Sequence, residues 1–216
     1  MAKSGEIYLI SHTKPEDKSI KHLQVCGIKF NHFNINLIDF DALVVTSKNS
    51  IKSLKFNDII PLNLEVFSIG EGSTKEAKSF GFRQIYTAKN SHGNEFAYEI
   101  APLLNGKKTF FPKAEVTVSD VDKILEKSGI NLITQNAYKT VYYELNQNLK
   151  PPKNSILIFA SPSNVLGFKQ NFSLDNEYKI ISIGDATAKF LKDFPNLTIS
   201  STQSIEECIK IAKNLV

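Results

Sequence analysis

The chain has 216 residues, 42% of them hydrophobic and 22% charged, the balance of a folded globular protein, which excludes a disordered or fibrous chain. Formal net charge is +4 and Arg83 is the only arginine, so a dense nucleic-acid-binding stripe and a set of guanidinium clamps are both excluded. No apolar run approaches the roughly 18–20 residues needed to span a bilayer, and the start, Met1-Ala2-Lys3-Ser4-Gly5-Glu6, has no long apolar leader, so a cytoplasmic protein without membrane contact is expected.

In chain order, residues 6–11 read as a buried strand, Pro15-Glu16-Asp17 as a helix start, and 19–25 as a helix ended by Gly27. A second extended stretch at 28–37 precedes an apolar run at 41–46 with a polar exit and a short helix at 50–54. The strand at 65–69 passes through Gly70 into a helix at 73–80, closed by Gly81 as its C-cap. Strands at 84–87, 107–111 and 130–138 alternate with helices at 95–104 and 119–127. Pro151-Pro152-Lys153-Asn154 is a short polar break. Beyond it come a strand at 179–183, a turn at Gly184, a helix at 185–193 stopped by Pro195, a strand at 197–200 and a helix at 205–215. Strand and helix alternate throughout, which predicts an α/β fold with parallel sheets.

The chain also repeats itself. Val44-Val45-Thr46-Ser47-Lys48-Asn49 is followed by Ser68-Ile69-Gly70-Glu71-Gly72-Ser73, and Ile158-Phe159-Ala160-Ser161-Pro162-Ser163 by Ser182-Ile183-Gly184-Asp185-Ala186-Thr187. An offset of 114 residues relates Ser47 to Ser161, Gly70 to Gly184, Ser73 to Thr187 and Phe80 to Phe194. Two matched halves predict two similar domains facing one shared cleft. In parallel sheets, ligands bind beyond the carboxyl ends of strands, where helix N-termini present unpaired N–H groups, and all four segments occupy that position. A small polyanion suits four such ends. The same residue types also serve as plain helix caps, so each segment alone carries both readings.

Cys26 and Cys208 have no CxxC partner and read as two buried thiols; His12, His22, His32 and His92 have no metal-ligand spacing. Neither the full dinucleotide fingerprint nor a phosphate loop, HExxH or GxSxG motif occurs, which disfavours a nucleotide- or flavin-using enzyme.

Phe67-Ser68-Ile69-Gly70-Glu71-Gly72-Ser73, Ala137-Tyr138-Lys139-Thr140-Val141, Phe159-Ala160-Ser161-Pro162-Ser163 and Ile183-Gly184-Asp185-Ala186-Thr187-Ala188 together resemble the uroporphyrinogen-III synthase family, in order and over most of the chain. The resemblance implies two flavodoxin-like domains, the first discontinuous (1–34 plus 147–216) and the second at 37–140, with crossings at 34–37 and 141–146. It also implies closure of the linear tetrapyrrole hydroxymethylbilane to uroporphyrinogen III, with inversion of the last pyrrole ring, loss of water, and no metal or organic cofactor. Such a protein is expected as a monomer, in transient contact with hydroxymethylbilane synthase.

By the same resemblance, Tyr138 is the candidate proton donor to the departing hydroxyl. Ser47, Ser161, Ser163 and Thr187 would line the cleft, Gly70, Ser73 and Gly184 would present N–H groups to acetate and propionate arms, and Lys48, Asn49 and Lys113 would add donors. Ser73 stands where the family leads one to expect threonine, and Asn164 and Lys169 flank the second serine segment without a family pattern. The reaction suits a chain without a catalytic triad: loss of hydroxide leaves an azafulvenium cation, and a ring carbon of the substrate is the nucleophile, so positioning is the catalysis. The competing reading is a two-domain small-anion binding protein without turnover, which would close on its ligand and release no product.

Overall fold

Runs of four consecutive buried apolar residues, Ala42–Val45 and Ile156–Phe159, are stable as strands only when helices cover both faces of their sheet. The computed structural model, which describes residues 5–89 and 92–216, has this arrangement twice. The first four residues of the chain, read above as lacking an apolar leader, lie outside the described residues. Two compact units divide the chain: Met1–Gly27 with Thr140–Val216, and Ile28–Lys139.

The first unit contains a five-stranded sheet in the order β11-β10-β9-β1-β2, all neighbours parallel: β1 (Ile7–Ile10), β2 (Lys21–Leu23), β9 (Ile156–Phe159), β10 (Lys179–Ser182) and β11 (Leu197–Ile199). Side chains alternate between two cores. Ile7, Leu9, Ile156 and Ile158 pack with Cys208 and Ala212 of α7 (Ile205–Asn214), while Ile10, Leu157 and Phe159 pack with Val165 and Phe168 of α5 (Pro162–Asn171). Cys26 and Cys208 are both free and buried, and burial pushes the Cys26 thiol up to about 11.

The second unit has a six-stranded sheet ordered β3-β8-β7-β4-β5-β6. Its strands are β3 (Cys26–Phe30), β4 (Ala42–Val45), β5 (Glu65–Ser68), β6 (Ile85–Thr87), β7 (Lys108–Ala114) and β8 (Asn131–Tyr142). Ala42 and Val44 face a core shared with α3 (Gly93–Leu104) and α4 (Val121–Lys127). Leu43 and Val45 face α1 (Lys48–Phe56) and α2 (Glu71–Phe80). Gly81 ends α2 at φ 124°, a backbone angle that L side chains rarely adopt, and donates its N–H to the Ala77 and Lys78 carbonyls.

Two elements differ from the sequence expectation. Residues 19–25 are not a helix: β2 pairs with β1 as a short parallel strand, with Leu23 opposite Ile10. Ile20 and Leu23, three apart, read as one helical face, but an odd spacing in extended chain puts them on opposite sides. Ile20 lies in the α7 core and Leu23 in the α5 core. Asp17 opens no helix; its side chain caps a turn through the Ser19 N–H and hydroxyl. The helix expected at 185–193 is regular only as α6 (Asp185–Ala188). Tighter turns follow, with the Phe190, Leu191 and Phe194 N–H groups each bonded three residues back, and they bring Leu191 into the core.

Candidate functional site

In the second unit, β4 runs out at Val45 and the chain turns into α1 through Ser47, whose extended backbone and side chain make it the N-cap: Ser47 Oγ accepts from Asn49 N at 3.1 Å. Lys48, Asn49 and Ser50 form the first turn, Lys48 exposed and Ser50 fully buried. On the neighbouring strand, β5 ends at Ser68, whose hydroxyl donates to the Gly70 carbonyl, and Gly70 leads into α2. The Gly70 carbonyl accepts from Ser73 and Thr74 N–H, and the Ser73 side chain is buried on that first turn.

The first unit repeats this construction, with the serine cap bond moved one residue along the helix. Ser161 caps α5, its Oγ accepting from Asn164 N at 3.3 Å, with Pro162 preset for the first helical position. Ser182 Oγ donates to the Gly184 carbonyl at 2.7 Å, and that carbonyl accepts from Thr187 and Ala188 N–H. Ser163 is half-buried beside the Ser161 cap, and Thr187 is buried on the first turn of α6. Each unit therefore carries two adjacent strand ends of matched construction.

Tyr138 reaches this edge of the second unit through an irregularity. β7 and β8 pair residue for residue as far as Lys113 opposite Asn136; the next pair is Ala114 opposite Tyr138, leaving Ala137 as an extra residue. Paired residues of parallel strands face the same way, so Phe111 packs in the α3/α4 core and Lys113 ion-pairs with Asp122 of α4. Ala114, one residue on, faces α1, and Tyr138 with it. Counting by twos from Leu132, which packs in the α3/α4 core, would have turned Tyr138 the other way.

The Tyr138 side chain is buried, its ring edge-on to Phe30 with centroids 6.5 Å apart. Burial pushes its phenol above the ordinary value, and the hydroxyls of Ser47 and Ser50, which face it, pull it part of the way back. The structure thus brings Tyr138, Ser47, Lys48 and Asn49 to one helix N-terminus, with Gly70 and Ser73 on the adjacent strand end. Ser161, Ser163, Gly184 and Thr187 sit together in the first unit. Lys113 lies on the opposite face of its sheet from Tyr138, engaged with Asp122. Burial works to raise the Asp122 carboxyl, but Lys113 and the Lys123 N–H hold it below its usual value.

Ser50 and Asn164 are polar residues that the sequence reading did not single out as site residues. The offset of 114 that relates Ser47 to Ser161 also relates Ser50 to Asn164, a signal present in the sequence. Both are buried at the third position of their helices. Asn164 Oδ1 accepts from Cys26 Sγ at 3.3 Å, and Lys169, the other unexplained residue of that segment, donates to the Phe190 carbonyl.

A separate concavity of about 510 Å³, lined by His32, Phe33, Asn34, Phe56, Asn57 and Asp58, lies at the C-terminal end of α1, away from Ser47. Among the described residues no group of three or more His, Cys, Asp or Glu is placed to hold a metal ion, and no helix is long and apolar enough to cross a membrane.

A family model described as uroporphyrinogen-III synthase HemD matches residues 21–210. A solved uroporphyrinogen-III synthetase from Helicobacter pylori superposes with a TM-score of 0.83 at 26% identity, covering 98% of this chain and 100% of that one. A mutant uroporphyrinogen III synthase from Thermus thermophilus shares the fold, with a TM-score of 0.58 at 11% identity over 91% of this chain and 89% of that one. No curated protein sequence matches.

Proposed function

The chain belongs to the uroporphyrinogen-III synthase family and works in tetrapyrrole biosynthesis, and from that premise we propose how its residues carry out the cyclisation. The substrate is the linear tetrapyrrole hydroxymethylbilane and the product is uroporphyrinogen III, formed with the last ring inverted and one water lost. The C–O bond of the hydroxymethyl group breaks with its electron pair on oxygen, and Tyr138 supplies the proton that makes water of the leaving group. The ring carbon already carrying the methylene bridge then attacks the cation, giving a spiro intermediate that rearranges. A proton lost on aromatisation restores the phenol.

The observation that carries this reading is the place of Tyr138: the bulge at Ala137 aims a buried phenol at the hydroxyl-bearing N-terminus of α1. A phenol whose ionisation is pushed upward by burial stays protonated at neutral pH, as a donor must. The backbone N–H groups at the first turns behind Ser47, Gly70, Ser161 and Gly184 suit carboxylate arms, because a helix N-terminus favours negative charge. Ser73, Ser163 and Thr187 add hydroxyls at those ends, and Lys48 and Asn49 add donors beside Ser47. Lys113 serves the arms only by leaving Asp122. In this reading the protein acts in the cytoplasm, as a monomer that meets hydroxymethylbilane synthase transiently.

The test is product analysis. Purified protein is given enzymatically generated hydroxymethylbilane, the products are oxidised, and the isomers are separated. Isomer III above the spontaneous isomer I is expected. A yield of isomer I alone, equal to a protein-free blank, overturns the reading and leaves an anion-binding protein.

A further inference from the structure

The Ser50 side chain is fully buried, and its Oγ has no hydrogen-bond partner among the described residues. A buried hydroxyl left without a partner costs stability, and alanine at this helical position would avoid that cost. Its counterpart in the repeat, Asn164, is equally buried but satisfied by Cys26. Ser50 instead lies on α1, the helix that packs on the sheet face towards which the bulge turns Tyr138, and the phenol feels its hydroxyl and that of Ser47 without a formed bond to Ser50. The Ser47 oxygen already accepts from Asn49 N, so its proton is free to be donated.

We propose that Ser50 is a positioning residue for Tyr138: when substrate binds, it and Ser47 donate to the phenolic oxygen, so that the phenol O–H is left to point at the departing hydroxyl of the substrate. Once it accepts from both serines, the phenol cannot turn its own proton towards either without losing those bonds. As the proton passes to the leaving group, negative charge develops on the phenolic oxygen, and the same two donors are aimed at it. The buried hydroxyl contributes little to the resting fold and acts when the proton moves. This proposal rests on the cyclisation described above, with Tyr138 as its acid.

Ser50→Ala, Tyr138→Phe and the double variant are compared with the wild type for kcat, KM and thermal melting. Ser50→Ala is expected to lower kcat about tenfold, the scale of one bond to a developing charge, with KM unchanged and Tm unchanged or higher. In the Tyr138→Phe background the same substitution is expected to change nothing further, because the oxygen it served is gone. Wild-type kcat in Ser50→Ala overturns the proposal, as does an equal loss in the Tyr138→Phe background, or a lowered Tm with raised KM. A wild-type protein that yields only isomer I defeats the functional reading itself, and the inference with it; isomer III from the wild type with an inert Ser50→Ala defeats the inference alone.

Discussion

Truncating the two repeated caps, Ser47→Ala and Ser161→Ala, should weaken the protein in two different places. Loss of a serine N-cap costs about 1 kcal/mol. At Ser47 the cap bond is 3.1 Å and nothing else presets the turn, so the full amount is expected. At Ser161 the bond is 3.3 Å and Pro162 already holds the first helical residue near its required angle, so a loss of about 0.5 kcal/mol is expected. In a domain of about 100 residues, 1 kcal/mol corresponds to roughly 4–8 °C in Tm. Ser47 belongs to the unit Ile28–Lys139 and Ser161 to the other, so the effects should add within about 0.5 kcal/mol. Calorimetry of the single and double variants measures the sum, and hydrogen exchange assigns each loss: amides of the second unit should exchange faster in Ser47→Ala, and those of the first in Ser161→Ala. Ser47→Ala should also lower kcat, since its hydroxyl faces the Tyr138 phenol. An unchanged Tm in Ser47→Ala, or faster exchange confined to the unit that does not contain the substitution, would refute the capping argument.

Replacing Gly167 by alanine sets two effects against each other. A helix-interior alanine is favoured over glycine by about 1 kcal/mol, but a Cβ here would stand 2.9 Å from both the Val25 carbonyl oxygen and Cγ2, and overpacking costs about 1–3 kcal/mol, so a lower Tm is expected and a higher one would contradict the packing. Asp122→Asn removes the partner of a mostly buried Lys113 and should cost about 1–3 kcal/mol, between exposed and buried pairs, read by urea unfolding. Because the Asp122 carboxyl is held below its unfolded value, its contribution is present above the unfolded value and is lost as pH falls through the folded one. The acid limb of a stability–pH curve should therefore shrink in Asp122→Asn, and an identical limb would show that the pair contributes nothing.

Much of the architecture is written locally. Burial on both faces makes Ala42–Val45 and Ile156–Phe159 read as strands from composition alone, and Gly81 marks the end of α2 because few other residues accept its backbone angle. The repeat at constant offset is legible for the same reason: caps and strand-end hydroxyls act within a few residues of themselves, so Ser47, Gly70, Ser161 and Gly184 take up their positions without reference to distant chain.

Register is a different matter, since it belongs to pairs of segments far apart in sequence. Whether Ile20 and Leu23 share a face depends on residues 21–23 finding the edge of β1, and a three-residue spacing satisfies a helix as well as the two sides of a sheet. The side to which Tyr138 points depends on one extra residue in β8 opposite β7, which no periodicity within β8 announces. Lys113 is turned towards Asp122 by the same pairing, and the buried hydroxyl of Ser50 comes to the side of the sheet that Tyr138 faces only once β8 and α1 are packed. The sequence by itself therefore determined the elements, their caps and the duplicated strand ends, because those are short-range energies. The face each candidate residue presents was decided by long-range strand pairing, where a shift of one residue reverses every side chain beyond it.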